Sequence, residues 1–193
     1  MKVVRDLFKD TASSHTRTWT DAIRAFVQLD IMGKGRVIVG KQVILKHSVE
    51  IRICKTGKLI LGDHSIIDPY VFFQLTMPHP TVTLGNYVGI GRGSIIAAKN
   101  MITIGDYSQL GPNCQINDQS HGMAKSDLIM NQRAILGEVH IGSDCWLGSG
   151  VKVLPNVRIG NGSIVGAGSV VTRDIPEYEV WAGAPAHFIK TRE

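Results

Sequence analysis

One histidine stands where a repeating pattern breaks off, inside the segment Asn117-Asp118-Gln119-Ser120-His121-Gly122. A neutral imidazole accepts a proton near pH 7, because its unperturbed pKa is about 6.5. His121 could therefore act as a general base, and Asp118 could orient it or bind a hydroxyl group. Taken alone, the same residues also fit a surface loop in which Asp118 forms a turn and His121 has no role.

The sequence gives little support for a metal site or for a reactive cysteine. The three cysteines, Cys54, Cys114 and Cys145, show no metal-ligand spacing, and we interpret the last two as buried thiols. A zinc enzyme would need several converging histidines, and His121 has no partner histidine at such a spacing. We therefore expect no metal site.

The loop containing His121 interrupts a six-residue repeat that is cleanest at 141–173. An aliphatic residue recurs at positions 141, 147, 153, 159, 165 and 171, and Gly follows it at 142, 148, 160 and 166. A helix would need spacings of about three and four, and a lone strand about two. A period of six predicts a parallel β-helix, an all-β fold in which three units close a triangular coil. The aliphatic residue and the small residue four positions later are predicted to face the interior.

The same pattern divides the chain. The predicted parts are an N-terminal cap at 1–30, a β-helix at 31–176 interrupted by an external loop at 117–140, and a C-terminal tail at 177–193. Within the cap, Trp19–Leu29 has apolar residues at helical spacing and is predicted to form a short helix. Insertions in a solenoid map to loops outside the prism, and such loops often build the binding face.

The net charge of +5 and the isoelectric point of about 9.2 fit a basic surface or a phosphate-bearing ligand. The Lys and Arg residues are scattered and no nucleic-acid-binding motif accompanies them, so we expect no nucleic-acid partner. No signal peptide and no apolar run long enough to span a membrane is visible, which predicts a cytoplasmic protein. The N-terminal helix leaves peripheral membrane association open.

Three stretches of this sequence resemble a known family: I-G-S-D-C-W-L-G-S-G, I-G-N-G-S-I-V-G-A-G-S-V-V-T-R-D-I-P and W-A-G-A-P-A. Over roughly 84–190 the chain resembles the hexapeptide-repeat acyltransferases, especially the galactoside, maltose and virginiamycin-type O-acetyltransferases. The resemblance implies a left-handed parallel β-helix, acetyl-CoA as co-substrate, and a homotrimer in which each site lies between two prisms.

The resemblance also implies roles for individual residues. His121 matches the catalytic base, Trp146 lines the tunnel for acetyl-CoA and the acceptor, and Ser149 contacts the thioester region, where it could stabilise an oxyanion. The further positions that match cofactor-binding sites of the family are Gly166, Ala167, Thr172, Arg173, Pro185 and Lys190. The family often has Lys at position 173 and Arg near position 190, and these exchanges keep the charge but change the geometry. Packing against a second subunit for Trp146, and a simple turn for Ser149, are the structural alternatives.

These roles predict an acetyl-CoA-dependent O-acetyltransferase that acts on a sugar or polysaccharide precursor. His121 would take the hydroxyl proton during direct attack on the thioester, because no nucleophile paired with a histidine is visible. Two other interpretations stay open: acyl transfer from another donor or to the amine of a nucleotide sugar, and a scaffold without catalysis.

Overall fold

The computed structural model describes residues 35–76 and 78–193, and they form a parallel β-helix of about six coils. Each coil contributes one strand to each of three sheets. The N-terminal cap at 1–30 and the helix predicted at Trp19–Leu29 lie outside the described residues. The fold predicted from the six-residue period is confirmed.

Strands of successive coils pair in parallel within each sheet. The first sheet contains β1 (Val37–Val39), β4 (Lys58–Leu61), β7 (Thr81–Leu84), β10 (Met101–Ile104), β15 (Glu138–Ile141) and β18 (Val157–Ile159). The second contains β2 (Ile44–Leu45), β5 (Ile66–Ile67), β8 (Gly89–Ile90), β11 (Gln109–Leu110), β16 (Trp146–Leu147), β19 (Ile164–Val165), β21 (Glu179–Gly183) and β22 (Ala186–Thr191). The third contains β3 (Glu50–Ile53), β6 (Phe72–Leu75), β9 (Ile95–Ala98), β12 (Gln115–Asn117), β17 (Lys152–Val153) and β20 (Val170–Val171).

The interior of the prism is filled by the repeating aliphatic residues. In the two most regular coils these are at most 2% exposed: Ile141, Leu147, Val153, Ile159, Val165 and Val171. The small residues four positions later are buried as well, and their polar groups are satisfied. The thiol of Cys145 donates to the carbonyl of Gly160 at 3.1 Å, and the hydroxyl of Ser163 donates to the carbonyl of Pro176 at 2.7 Å. Stacked coils therefore share one continuous core.

Among the described coils, the irregularity in the repeat falls at one edge of the prism, the third corner, which joins the third sheet to the first. The aliphatic residues that cross the other two corners keep their spacing of six even in early coils, as Leu61, Ile67 and Phe73 show. The segments that vary in length between coils are 54–57, 76–80, 99–100 and 118–137. The early coils are therefore regular on two corners and carry insertions on the third.

The first corner, between the first and second sheets, is held by a ladder of side-chain oxygens. Asp63 accepts the backbone N–H of Lys41 at 2.7 Å, Asn86 that of Asp63 at 2.8 Å, and Asp106 that of Asn86 at 2.7 Å. The Gly before each of these residues is required by the spacing between coils: a Cβ on Gly62 would lie 2.2 Å from the carbonyl oxygen of the glycine one coil on. The repeating Gly therefore allows close stacking rather than a backbone bend.

The largest insertion leaves the prism at Asp118 and returns at Glu138. It forms a hairpin of β13 (Gln119–His121) and antiparallel β14 (Ala134–Leu136), with a short 3₁₀ helix at Ile129–Asn131 near its tip. The predicted external loop is thus a structured arm, which we call the hairpin.

The C-terminal tail also has more structure than its sequence suggested. β21 extends the second sheet by pairing in parallel with β19, and β22 folds back on β21 in antiparallel fashion. Trp181 faces the end of the core and is 9% exposed, and its indole N–H donates to Glu179 at 2.6 Å. The tail closes the open end of the stack, since Trp181 pairs with the inward-facing Val165 and takes the next inward position past Pro176.

Candidate functional site at the third corner

A groove runs along the outer side of the third sheet at the base of the hairpin. Its floor is the row formed by Gln74, Ala97 and Asn117, which are paired across β6, β9 and β12. These residues face outward because they alternate with the buried Phe73, Ile96 and Ile116 along their strands. The groove has a volume of about 460 Å³, and the hairpin forms its wall.

His121 lines this groove from the last position of β13. Its backbone pairs with Ala134 on β14, and the N–H of Gly122 donates to the carbonyl of Arg133 at 3.2 Å, so the hairpin fixes the backbone of His121 beside the groove. The side chain is exposed, and it makes no hydrogen bond to any residue within 35–76 or 78–193. Both ring nitrogens are thus available to a ligand from the groove side.

Asp118 occupies the interior side of the same segment. It is fully buried, and its carboxylate accepts the backbone N–H groups of Lys99 and Asn100, each at 2.8 Å. Burial raises the pKa of the Asp118 carboxyl above its ordinary value, and the bonds from Lys99 and Asn100 oppose that rise. The described bonds of Asp118 fix the preceding coil and the base of the hairpin, and they do not extend to His121.

Trp146 lies on a different side of the prism. It is on the outer side of the second sheet, paired with Gln109 and Ile164, and it is 58% exposed. A second groove, of about 510 Å³, lies on the same sheet in earlier coils. This second groove follows a column of stacked rings at the first corner. The ring centres of His64 and Tyr87 are 4.6 Å apart, and those of Tyr87 and Tyr107 are 5.1 Å apart.

Ser149, Gly166 and Ala167 lie on the second corner, between the second and third sheets. The carbonyl of Ser149 accepts the N–H of Gly168 in the next coil at 2.8 Å. A Cβ on Gly166 would lie 2.9 Å from the Cβ of Ala182, so small residues continue along this edge toward the end of the prism. These small, partly or fully exposed residues form a shelf along the second corner, which we call the second-corner shelf.

The remaining candidates are near the C-terminal end. Thr172 and Arg173 follow β20 on the third corner, and the guanidinium of Arg173 is 5.8 Å from the centre of the Trp181 ring. Pro185 follows a cis peptide bond in the turn between β21 and β22, and Lys190 is exposed on β22. Arg173 and Lys190 thus place basic side chains near the last coil.

A single chain does not gather all of these residues in one cavity. Of the predicted site residues, only His121 lines the groove of the third corner, while Trp146 faces away on the second sheet. The second-corner shelf separates them. A complete site with both side chains would need the third sheet of one prism to face the second sheet of another.

The sequence analysis missed several groove residues: Gln74, Lys99 and Gln115. Asn117 and Gln119 belong to the interrupted segment that the sequence analysis singled out. Each missed residue flanks an inward aliphatic position, and alternation along the strand could have placed it outside. The sequence does not show that the third corner brings three coils and the hairpin together.

Another polar cluster lies on the outer side of the first sheet. His140 bonds through Nδ1 to the hydroxyl of Thr103 and through Nε2 to Glu138, both at 2.9 Å. The bond from His140 lowers the pKa of Glu138. Neither described groove includes these residues.

Within 35–76 and 78–193, no three His, Cys, Asp or Glu side chains come together in a way that could hold a metal ion. No helix among these residues has the length and apolar character needed to cross a membrane.

Comparisons with known proteins identify the class of this fold and repeat. Residues 138–173 match the family described as bacterial transferase hexapeptide (six repeats). The chain is 34% identical over 132 residues to the "Putative colanic acid biosynthesis acetyltransferase WcaF" of Escherichia coli K12, which covers 68% of this chain and 69% of that protein. The chain therefore belongs to the hexapeptide-repeat transferase family.

Other relatives are longer than the matched region. The chain is 43% identical over 125 residues to a galactoside O-acetyltransferase of Lactococcus lactis, covering 65% of this chain and 59% of the relative. Across this and two further acetyltransferase relatives, the match spans between 52% and 62% of the relative's length.

Among solved structures, the chain is similar to AntD, an N-acyltransferase from Bacillus cereus in complex with dTDP and coenzyme A. The TM-score is 0.72 at 19% identity, over 93% of this chain and 92% of that one. At this identity the likeness shows the fold.

Proposed function

We propose that this protein is an acyltransferase that moves an acetyl group from acetyl-CoA to a hydroxyl group of a sugar or polysaccharide precursor. One observation carries the proposal: the hairpin holds His121 over a polar groove, and no described residue bonds to its ring. The relatives named acetyltransferases, one for galactosides and one in colanic acid biosynthesis, support the reaction class and the type of acceptor.

In the proposed reaction, His121 accepts the proton of the acceptor hydroxyl as its oxygen attacks the thioester carbonyl. The oxygen–carbonyl bond forms, and the tetrahedral oxyanion then collapses with loss of the CoA thiolate. His121 returns its proton to that sulfur, so the enzyme ends the cycle unchanged. Ser149 is proposed to stabilise the oxyanion. Asp118 takes a positioning role, because it fixes the base of the hairpin.

The second-corner shelf suits the pantetheine arm of acetyl-CoA. Gly166 and Ala167 have little or no side chain and leave room along this edge, and Ser149 lies one coil below them. We assign Thr172, Arg173, Pro185 and Lys190 to the nucleotide end, where Arg173 and Lys190 would meet the phosphates by charge-assisted hydrogen bonds.

We infer a homotrimer because Trp146 and the hairpin tip are exposed apolar groups that need a cover. In that assembly the third corner of one prism faces Trp146 of the next. His121 and Trp146 would then line one site from two subunits.

The binding test uses titration calorimetry with acetyl-CoA on the wild type and Trp146→Ala, and CoA and ATP serve as control ligands. We expect micromolar binding that Trp146→Ala weakens. A folded wild type that does not bind acetyl-CoA would overturn the assignment of the co-substrate.

The acceptor test measures release of CoA with a panel of sugars, and compares the wild type with His121→Gln. His47→Gln, at an exposed position on the second corner of the first coil, is the matched control. Release that is equal in the wild type and His121→Gln would exclude His121 as the base.

A second function, transfer to an amine, is favoured by the likeness to the N-acyltransferase AntD. Amino sugars in the same panel distinguish the two. A higher kcat/KM for an amino sugar than for its hydroxyl counterpart would replace O-acetylation by N-acetylation.

A further inference from the structure

The groove at the third corner has an unbalanced charge. Lys99 lines it beside His121, and none of the groove's described lining residues is Asp or Glu. The Lys99 side chain is partly buried, and it forms no ion pair with any carboxylate in 35–76 or 78–193. A lysine ammonium that lines a groove without a carboxylate partner can pair with an anion bound in that groove.

Asp118 does not supply the counter-charge, although it is bonded to the same residue. Its oxygens accept the backbone N–H groups of Lys99 and Asn100 from inside the prism, where Asp118 is fully buried. The Lys99 ammonium belongs to the groove side of the corner. The carboxylate therefore fixes the backbone of Lys99 and leaves its charge to the groove.

The rest of the groove is lined by groups that suit a sugar. Four of its residues carry side-chain amides, each with donors and an acceptor: Gln74, Gln115, Asn117 and Gln119. Sugar hydroxyls also donate and accept, so amides can bind them in several orientations. The small side chain of Ala97 leaves space on the floor between Gln74 and Asn117.

From this lining we propose that the acceptor carries an anionic group, a carboxylate or a phosphate, which pairs with Lys99 while His121 acts on the hydroxyl. The inference rests on the proposed function, because it specifies the substrate class of the same site. A uronic acid and a glycosyl phosphate both have this chemistry.

Acetyl-CoA also carries phosphates, but they do not suit Lys99. The phosphates lie at the end of the pantetheine arm farthest from the thioester. Lys99 instead shares its groove with His121, which is proposed to deprotonate the attacking hydroxyl of the acceptor. Arg173 and Lys190 are available near the other end of the prism. The anion at Lys99 is therefore assigned to the acceptor.

The main experiment compares two acceptors that differ only at C6 of the pyranose, p-nitrophenyl β-D-glucuronide and p-nitrophenyl β-D-glucoside. We expect Lys99→Gln to lower kcat/KM for the glucuronide roughly 10- to 100-fold, mainly through KM, and to change the glucoside less than about twofold. Lys99→Arg should retain the preference for the charged acceptor. Lys58→Gln, on the first sheet, is the matched control and should behave like the wild type.

A second pair identifies the source of the anion: α-D-glucose 1-phosphate and methyl α-D-glucoside. An effect of Lys99→Gln on the phosphate pair alone assigns a phosphate, and an effect on the uronide pair alone assigns a carboxylate. Equal losses for charged and neutral acceptors would overturn the proposal, because Lys99 would then act on a step common to both. A rise in KM for acetyl-CoA alone would also overturn it.

Binding without turnover separates this inference from the proposed function. Titration of the wild type and Lys99→Gln with glucuronate and glucose should show glucuronate binding that depends on Lys99. If no acceptor gives His121-dependent CoA release, the proposed function fails. If His121-dependent CoA release occurs but Lys99→Gln changes kcat/KM equally for charged and neutral acceptors, the proposed function stands. Only the proposal that the acceptor carries an anionic group is then excluded.

Discussion

At the scale of single residues, the side chains near the hairpin base have separate tasks. His121 is exposed to the groove and Asp118 is buried in the prism, although only two residues lie between them. The alternation of the chain and the turn into β13 send them to opposite sides. The first can meet a ligand, and the second holds backbone N–H groups in place.

Replacing His121 by Gln is expected to lower kcat by about 10²- to 10⁴-fold, which is the usual contribution of a positioned general base. KM for acetyl-CoA should stay near the wild-type value, since His121 lies apart from the second-corner shelf. Steady-state kinetics with the best acceptor measures both. A loss confined to KM would assign His121 to binding instead.

The raised pKa of Asp118 gives a stability prediction. The unfolded chain has an Asp pKa of about 3.9, and burial raises the pKa of Asp118 above it in the folded state. Such a carboxyl stabilises the fold in acid, and this contribution is lost as the pH rises through the folded-state pKa. Asn is neutral at every pH, so the wild type should lose stability relative to Asp118→Asn as the pH rises from acid to neutrality. Urea unfolding across that range measures the difference. If the wild type instead gained stability relative to Asp118→Asn as the pH rises, the backbone N–H bonds would lower the pKa of Asp118 more than burial raises it.

At the scale of elements, the corners of the prism behave differently. The first corner is regular, because at most of its levels an Asp or Asn of the following coil accepts a backbone N–H and a Gly permits close approach. The segments that cross the third corner differ in length from coil to coil, and the longest of them forms the hairpin. The proposed site therefore lies at the corner where the chain between strands varies most in length.

Two glycines test the reason for the repeat. Gly62→Ala places a Cβ within 2.2 Å of backbone in the next coil, and overpacking of this kind should cost about 1–3 kcal/mol or more. Gly150 has a φ of +73° and no atom closer than 3.9 Å to its added Cβ, and Asn113 has a similar φ at the same corner. Gly150→Asn should therefore change stability by less than about 1 kcal/mol.

Thermal and urea unfolding compare the two variants with the wild type. Equal destabilisation would mean that backbone conformation, rather than the spacing between coils, explains the repeating glycine.

At the scale of the whole molecule, the hairpin presents apolar side chains outward. The most exposed are Met123, Leu128, Ile129 and Met130, at 63–84%. Such a surface on a small arm is expected to be covered by a second copy of the chain in the proposed trimer.

Met130→Asp should therefore shift the protein from a trimer toward the 21.0 kDa monomer, because a charge would be buried at the contact. Sedimentation velocity at several concentrations measures the shift, and Thr83→Asp on the first sheet is the control. A wild type that sediments as a monomer would exclude the trimer. A trimer broken only by Thr83→Asp would place the contact on the first sheet.

The six-residue period was sufficient to determine the parallel β-helix, the interior residues and the place of the excursion. Each unit repeats the same local interaction, so its pattern is visible along the chain: Ile141 and Leu147 are buried as their spacing predicts. The family roles of His121 and Trp146 likewise depended on short contiguous motifs.

Only the tertiary structure decided which residues share a groove. Lys99, Gln74 and His121 meet because three coils and the hairpin stack at one corner, and the chain between them varies in length. The burial of Asp118 and the closure of the prism by Trp181 also depend on contacts between coils. Such contacts join residues that are distant along the chain, and neither composition nor a local period contains that information.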